Sequence, residues 1–278
     1  MYSNTLQKCA NKAAHIKTFL KINPIGFWIS GMMAGSYVGL GIILIFTLGN
    51  KVEPSLRYLV MGATFGIALT LVIIAGAELF TGHTMYLTIG VKTKKISLLD
   101  AVKILPKTWL ANLLGAILVS YIYFLCGFEQ MDNSGALLHE IALKKIDLTA
   151  LNLFMRGALC NWLVCLSIWM ALRVNGTAKF IAIWWCLLGF IASGYEHSVA
   201  NMTVFALSSF GQHSDAFTFL GVLHNLFWVT LGNLFSGVAF MGLGYWYVTS
   251  KEERRLLMSE EVISKTHTSK PVQKQKII

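Results

Sequence analysis

The stretch "FIAIWWCLLGFIASGYEHSVANMTVFAL", residues 180–207, decides the fold. Its apolar character and length suit a helical membrane crossing, which takes about 20 residues. Yet it carries Glu196 and His197 side by side. An ionisable side chain at that depth is costly and marks a functional position. Adjacent residues on one helix do not share a face, so the two are expected to point differently. Ser198 and Asn201 follow, and both are expected to help satisfy backbone groups exposed there.

The rest of the chain has the same character. Of 278 residues, 55% are hydrophobic and 13% charged, with mean hydropathy +0.62. Soluble domains carry about 25% charged residues. Six apolar runs stand at 25–48, 58–80, 108–127, 150–172, 178–207 and 219–248, the third opening on Trp109. They do not alternate as the strands of a transmembrane barrel do, so they are read as helices. The expected fold is an all-α polytopic membrane protein with one membrane domain, residues 25–248.

Residues 1–24 lack the apolar run and cleavage site of a secretory signal. Leu6, Cys9, Ala13, Ile16 and Leu20 recur every three or four positions, so an amphipathic helix is expected. Residues 249–278 are basic and polar, and a largely disordered tail is expected. Eighteen of the 23 Lys and Arg fall on the face that holds both termini. The positive-inside rule puts that face in the cytoplasm, and the excess of basic charge is a topology signal without any implication of nucleic acid. The five cysteines form no CxxC pair and read as small buried apolar residues, with no zinc site. No metal or other cofactor is expected.

The second run echoes the fifth. "AGAELFTGHTM" (75–85) and "ASGYEHSVANM" (192–202) each place a Gly two residues before a Glu, Gly76 before Glu78 and Gly194 before Glu196. "TWLANLLGA" (108–116) and "VTLGNLFSGV" (229–238) place Asn112 and Asn233 in similar frames. Three helices per half make the second copy inverted, a layout common in transporters. An uninterrupted apolar helix has no need of Thr81, Gly82, His83 and Thr84, so the second and fifth helices are expected to break. Their half-helix N-termini would then aim positive ends at one central region, which favours an anion or small polar solute.

At "AELFTGHTM", "GALCNWLVCLSIWM", "ASGYEHSVANM" and "VTLGNLFSG" the chain resembles the formate/nitrite transporter family, over about residues 5–250. His83 and "GLGIILIFTLGN" (39–50) resemble its bacterial nitrite-channel branch. The resemblance implies a homopentamer with an aquaporin-like protomer, one pore in each, in the bacterial inner membrane. It implies that the loop breaking the second helix carries Thr81, and that the loop breaking the fifth lies just before His197. It places Thr81, His197, Asn233 and Asn161 along the pore. Phe65, Leu69, Leu79, Phe80 and Phe190 would form apolar constrictions, and Lys145 would stand at the periplasmic mouth.

Several of these residues have a plainer reading. Thr81 also suits a helix N-cap, and Asn161 and Asn233 are buried amides that must find partners in any case. Glu196, Asn201 and His83 are possible supports. Gly35, Gly39, Gly62 and Gly66 have the spacing of close helix packing. The permeant expected is nitrite or a related small monovalent anion, formate and hydrosulfide included, which a protonated His197 could convert to its neutral acid. A water or glycerol facilitator is opposed by the lack of Asn-Pro-Ala pairs, and an enzyme by the lack of a nucleophile–base pair.

Overall fold

The computed structural model describes residues 2–127, 134–211 and 214–258, and among these it is helical without a strand. Helix α1, Ser3–Ile22, precedes α2, Pro24–Gly49, and the Asn23 side chain between them accepts from the Gly26 amide at 2.8 Å. Helix α3 spans Pro54–Gly76 and ends in a wide turn at Leu71–Gly76, where Gly76 has φ +83°. Residues 77–79 are non-helical, and α4 resumes at Phe80–Lys92. Helix α5 is Leu98–Leu125, α6 Ser134–Ile146, α7 Ala150–Ala171 and α8 Thr177–Ala192. Residues 193–197 are non-helical, with Gly194 at φ +67°, before α9, Ser198–Phe210. Helix α10 covers Phe219–Val248, and residues 251–258 are again helical.

Five of these helices are long and apolar enough to cross a membrane, namely α2, α3, α5, α7 and α10, while α8 and α9 are shorter apolar helices. Large apolar side chains such as Leu98, Leu125, Trp185 and Phe227 stand exposed along them, as a lipid-facing surface requires. The chain is a multi-pass membrane protein.

Three boundaries differ from those read in the sequence. The third span begins at Leu98, ten residues before the apolar run, because Ser97 and Asp100 form a capping box there. Residues 134–146, between the third and fourth runs, form the amphipathic helix α6. Residues 251–258 lie inside the tail expected to be disordered, yet Ser250 and Glu253 cap each other and start a helix. Residues 259–278, the rest of that expected tail, are outside the described residues. Among the cysteines, Cys126 is exposed while the other four are buried.

Two tight helix pairs form the frame, α2 with α5 and α7 with α10. Each depends on glycine at the crossing. A methyl group on Gly35 would overlap the Asn112 carbonyl, and one on Gly232 the Phe154 carbonyl. Without a hydrophobic force between helices in lipid, such close backbone contact supplies the attraction. Helix α1 lays Leu6, Cys9, Ala10, Ala13 and Ile16, all fully buried, chiefly against α4.

Gly232→Ala is therefore expected to cost about 1–3 kcal/mol by overpacking. Gly189→Ala, whose added methyl would meet only Leu163 at 3.7 Å, is expected to be neutral or slightly stabilising. Thermal unfolding of the two variants in detergent distinguishes them.

Candidate permeation site

A helix broken inside a membrane leaves amides and carbonyls with no water to bond. Each break here is closed by one asparagine. Asn112 of α5 accepts from the Phe80 amide at 2.9 Å and donates to the Gly31 and Glu78 carbonyls at 2.8 and 2.9 Å. Asn233 of α10 accepts from the Ser198 amide at 2.9 Å and donates to the Gly157 and Glu196 carbonyls at 2.8 and 3.1 Å. Both are fully buried, and both amide hydrogens of each are committed to backbone.

A buried carboxylate stands at each break. Glu78 pairs with Lys12 of α1 at 2.8 Å, and its other oxygen lies 2.6 Å from His83 Nε2. His83 Nδ1 lies 3.1 Å from Thr108 Oγ1. Glu196 pairs with Lys145 of α6 at 2.8 Å and accepts from Asn201 Nδ2 at 2.6 Å. Asn201 also bonds Asn225, whose amide reaches the Lys145 carbonyl. Thus Asn201 serves Glu196 and Asn225, not loop backbone. Ser198 offers its amide to Asn233, and its hydroxyl has no hydrogen-bond partner among the described residues.

His197 is the N-cap of α9, and its Nδ1 accepts from the Ala200 amide at 3.1 Å. In the neutral ring the hydrogen therefore sits on Nε2, which lies 3.2 Å from Thr81 Oγ1. Thr81 occupies the first turn of α4, two residues past its N-cap Leu79, so it follows the loop of the break instead of lying in it. Its carbonyl accepts from Thr84 Oγ1 at 2.6 Å. Asn161 reaches Thr84 Oγ1 at 3.1 Å and the Asn233 carbonyl at 2.6 Å, binding α7 to α4 and α10. The N-termini of α4 and α9 thus meet at His197 and Thr81.

Two spaces adjoin His197, and buried Thr81 lines neither. A cavity of about 420 Å³ is lined by Tyr58, Lys144, Lys145, Asp147, Arg156, Glu196 and His197, with Phe190 among its apolar residues. Lys144 is paired with Glu140, and Lys145 with Glu196. Arg156 is exposed and has no carboxylate partner among the described residues. Beyond it, Phe65, Leu69, Leu79, Phe190 and His197 enclose a void of about 10 Å³. Phe65 and Phe190 meet edge to face with centroids 5.5 Å apart. That void is at the lower limit for one water, so this conformation is closed to a three-atom anion.

Of the residues predicted for the pore, the structure brings His197 and Thr81 together and sets Phe65, Leu69, Leu79 and Phe190 beside them. Lys145 lines the cavity with its charge already paired. Asn233 and Asn161 line neither space and bond protein groups. Phe80 also lines neither; its ring is buried in the core and its amide belongs to the first break. The sequence reading missed Lys12, Thr108 and Asn225 as members of the two carboxylate clusters.

Residues 3–247 match the formate/nitrite transporter family. The chain belongs to that family. It is 64% identical over 254 residues to nitrite transporter NirC of Salmonella typhimurium, covering 91% of this chain and 94% of the relative. It is 63% identical to nitrite transporter NirC of Escherichia coli, covering 91% and 95%. A solved FNT family ion channel superposes with TM-score 0.86 at 64% identity, covering 88% of this chain and 99% of that one. A pentameric formate channel with formate bound superposes with TM-score 0.69 at 26% identity, covering 81% and 96%. In a transporter family, the meeting of two helix N-termini beside a cavity with charged lining and an apolar void is a candidate permeation site.

Asn233→Ala is expected to strand three buried backbone groups, at about 1–3 kcal/mol each. Asn233→Asp keeps the acceptor but sets an oxygen against the Gly157 and Glu196 carbonyls, so it should be no milder than the alanine. Asn152→Ala, at an exposed position on α7, should leave stability unchanged. Unfolding temperatures in detergent provide the comparison.

Proposed function

We propose that this chain is a nitrite channel or transporter of the bacterial inner membrane. The observation that carries the reading is the His197–Thr81 contact in a chain 64% identical, over nearly its whole length, to nitrite transporter NirC. The protomer is read as six membrane crossings in two inverted three-helix repeats, resembling an aquaporin, with both termini in the cytoplasm. Residues 1–24 are a cytoplasmic helix, 25–248 the channel and 249–278 a cytoplasmic extension. Five copies assemble, each with its own pore, a reading supported by the likeness to a pentameric formate channel.

Permeation then follows from the residues. Arg156, the cation of the 420 Å³ cavity that has no carboxylate partner among the described residues, raises the local concentration of anions. Moving a bare anion into a low-dielectric passage costs an idealised 20 kcal/mol or so. The apolar rings of Phe65 and Phe190 offset none of it. His197 Nε2–H, the Thr81 hydroxyl and the two helix N-termini do, because all present positive ends to the same point.

Passage as the neutral acid removes the remaining charge, and His197 is the ionisable group adjoining both spaces. Its Nδ1 must then take up a proton, which displaces the Ala200 amide from that nitrogen. Proton loading is thereby coupled to the first turn of α9. Once Nδ1 is protonated, Nε2 can pass its hydrogen to the anion, which leaves a neutral ring with its hydrogen on Nδ1; loss of that proton and uptake of another at Nε2 restore the bond from Ala200.

His197→Asn separates the two roles, since asparagine caps a helix well but does not titrate. Nitrite flux into proteoliposomes should rise as pH falls for wild type. The variant should fold normally but lose flux, or lose its pH dependence. Equal pH profiles in both would make His197 a structural cap and remove the proton-relay mechanism. Formate is the alternative permeant, supported by the formate-bound neighbour; competition by formate against nitrite flux compares the two. Arg156→Gln should lower flux several-fold at low ionic strength and by less at high salt, as a screened steering charge requires.

A further inference from the structure

A second cavity, of about 620 Å³, lies between α5, α4 and α10, and is lined by Thr84 but not by His197. Leu98, Val102 and Leu105 form one wall, and Leu234, Phe235 and Leu243 the other. Leu98, Val102 and Phe235 are exposed, so this is an apolar groove open on the lipid-facing surface. Lys92, at the end of α4, lines the same groove.

The charged end is what distinguishes this groove from an ordinary apolar surface. Lys92 Nζ lies 5.5 Å above the Tyr247 ring. The Arg254 guanidinium lies 5.6 Å from both the Tyr247 and Trp246 rings. Two cations therefore converge on one exposed tyrosine at the mouth, and neither has a carboxylate partner among the described residues. Asp100, on the first turn of α5, pairs with Lys17, and Glu253 caps Ser250. This end of the groove carries the basic segments that the positive-inside rule assigns to the cytoplasmic leaflet, where anionic lipids collect.

We infer that the groove binds an anionic glycerophospholipid, one acyl chain lying along Val102 and Leu234 and the phosphate between Lys92 and Arg254. Charge decides between this occupant and a second copy of the chain. An apolar protein face laid over the mouth would bury two cations with no anion, which is strongly unfavourable. A lipid phosphate supplies the missing charge, and an acyl chain suits the apolar lining that Val102 and Leu234 share. Exposed Tyr247 stands where such rings anchor helices at the headgroup level, while Trp246 is buried behind it.

Native mass spectrometry of the assembled protein, exchanged into mixed phosphatidylglycerol and phosphatidylcholine, tests this. Wild type should retain phosphatidylglycerol in preference, at one per protomer. Lys92→Gln with Arg254→Gln should weaken retention about 10- to 30-fold, as two lost charges imply. Val102→Trp, which fills the groove but keeps both cations, should lose bound lipid of either kind. Assembly on the same spectra and unchanged nitrite flux show that these variants fold. Unchanged phosphatidylglycerol retention in the double variant, or no preference in wild type, would overturn the inference. So would efficient disulfide cross-linking of Val102→Cys to a neighbouring protomer, which would show the groove covered by protein.

Discussion

Everything at the permeation site depends on the cost of an unpaired backbone group away from water. Two helices stop and restart inside the apolar layer, and each restart leaves one amide and one carbonyl to satisfy. An asparagine side chain has an acceptor and two donors at the end of one short stem. An aspartate lacks the donors, and alanine lacks everything. The bonds Asn112 makes to Gly31 and Glu78 also explain the glycines: the α2–α5 crossing must be close for the Gly31 carbonyl to be within 2.8 Å. The α7–α10 crossing meets the same condition at Gly157 and Gly232. Helix packing and break geometry are thus one requirement.

The buried carboxylates extend that requirement to the amphipathic helices. Glu78 and Glu196 are each nearly inaccessible, and each takes a lysine from a helix outside the membrane crossings, Lys12 of α1 and Lys145 of α6. Each carboxylate is buried, so removing its lysine leaves it with His83 or Asn201 alone as compensation. Both short helices are thereby held against the breaks. The two clusters differ in their second partner. Glu196 has the amide of Asn201, whereas Glu78 has the imidazole of His83. The Glu196 cluster opens into the 420 Å³ cavity, where its lysine is already paired with the carboxylate.

The helical membrane fold and the unusual positions near Glu78 and Glu196, His197 among them, are legible in the chain, because charge inside an apolar run has few benign explanations. Partners are much less legible. Asn233 announces a buried amide, but nothing in "VTLGNLFSGV" says whether it faces a permeant or a carbonyl 76 residues away. Lys12 looks like one more basic residue of an amphipathic helix until Glu78 is seen 2.8 Å from it. The start of α5 is hidden because Asp100, Lys103 and Lys107 lower the local hydropathy, while the capping box that fixes it is local and polar. Phe80 and Leu79 are neighbours of equal apolarity, and only the extended backbone at Leu79 turns one toward the void and the other into the core.

Under the proposed function, His197 would both hold the fold and serve a permeant. Its two nitrogens are divided between these tasks: Nδ1 closes the first turn of α9, and Nε2 faces Thr81. Thr81 is divided in the same way, since its carbonyl is bonded within α4 while its hydroxyl faces His197. The functional atoms are therefore held by their own residues' backbone and capping bonds, and no separate scaffold is needed to aim them. The arrangement also makes the two tasks interdependent. A second proton on the ring must come at Nδ1, so the ring cannot become cationic and still accept from Ala200. Any charging of the site loosens the helix end that positions it, on the same side as the Phe65–Phe190 contact that closes the void. Loading a proton and opening the passage would then be two consequences of losing one hydrogen bond.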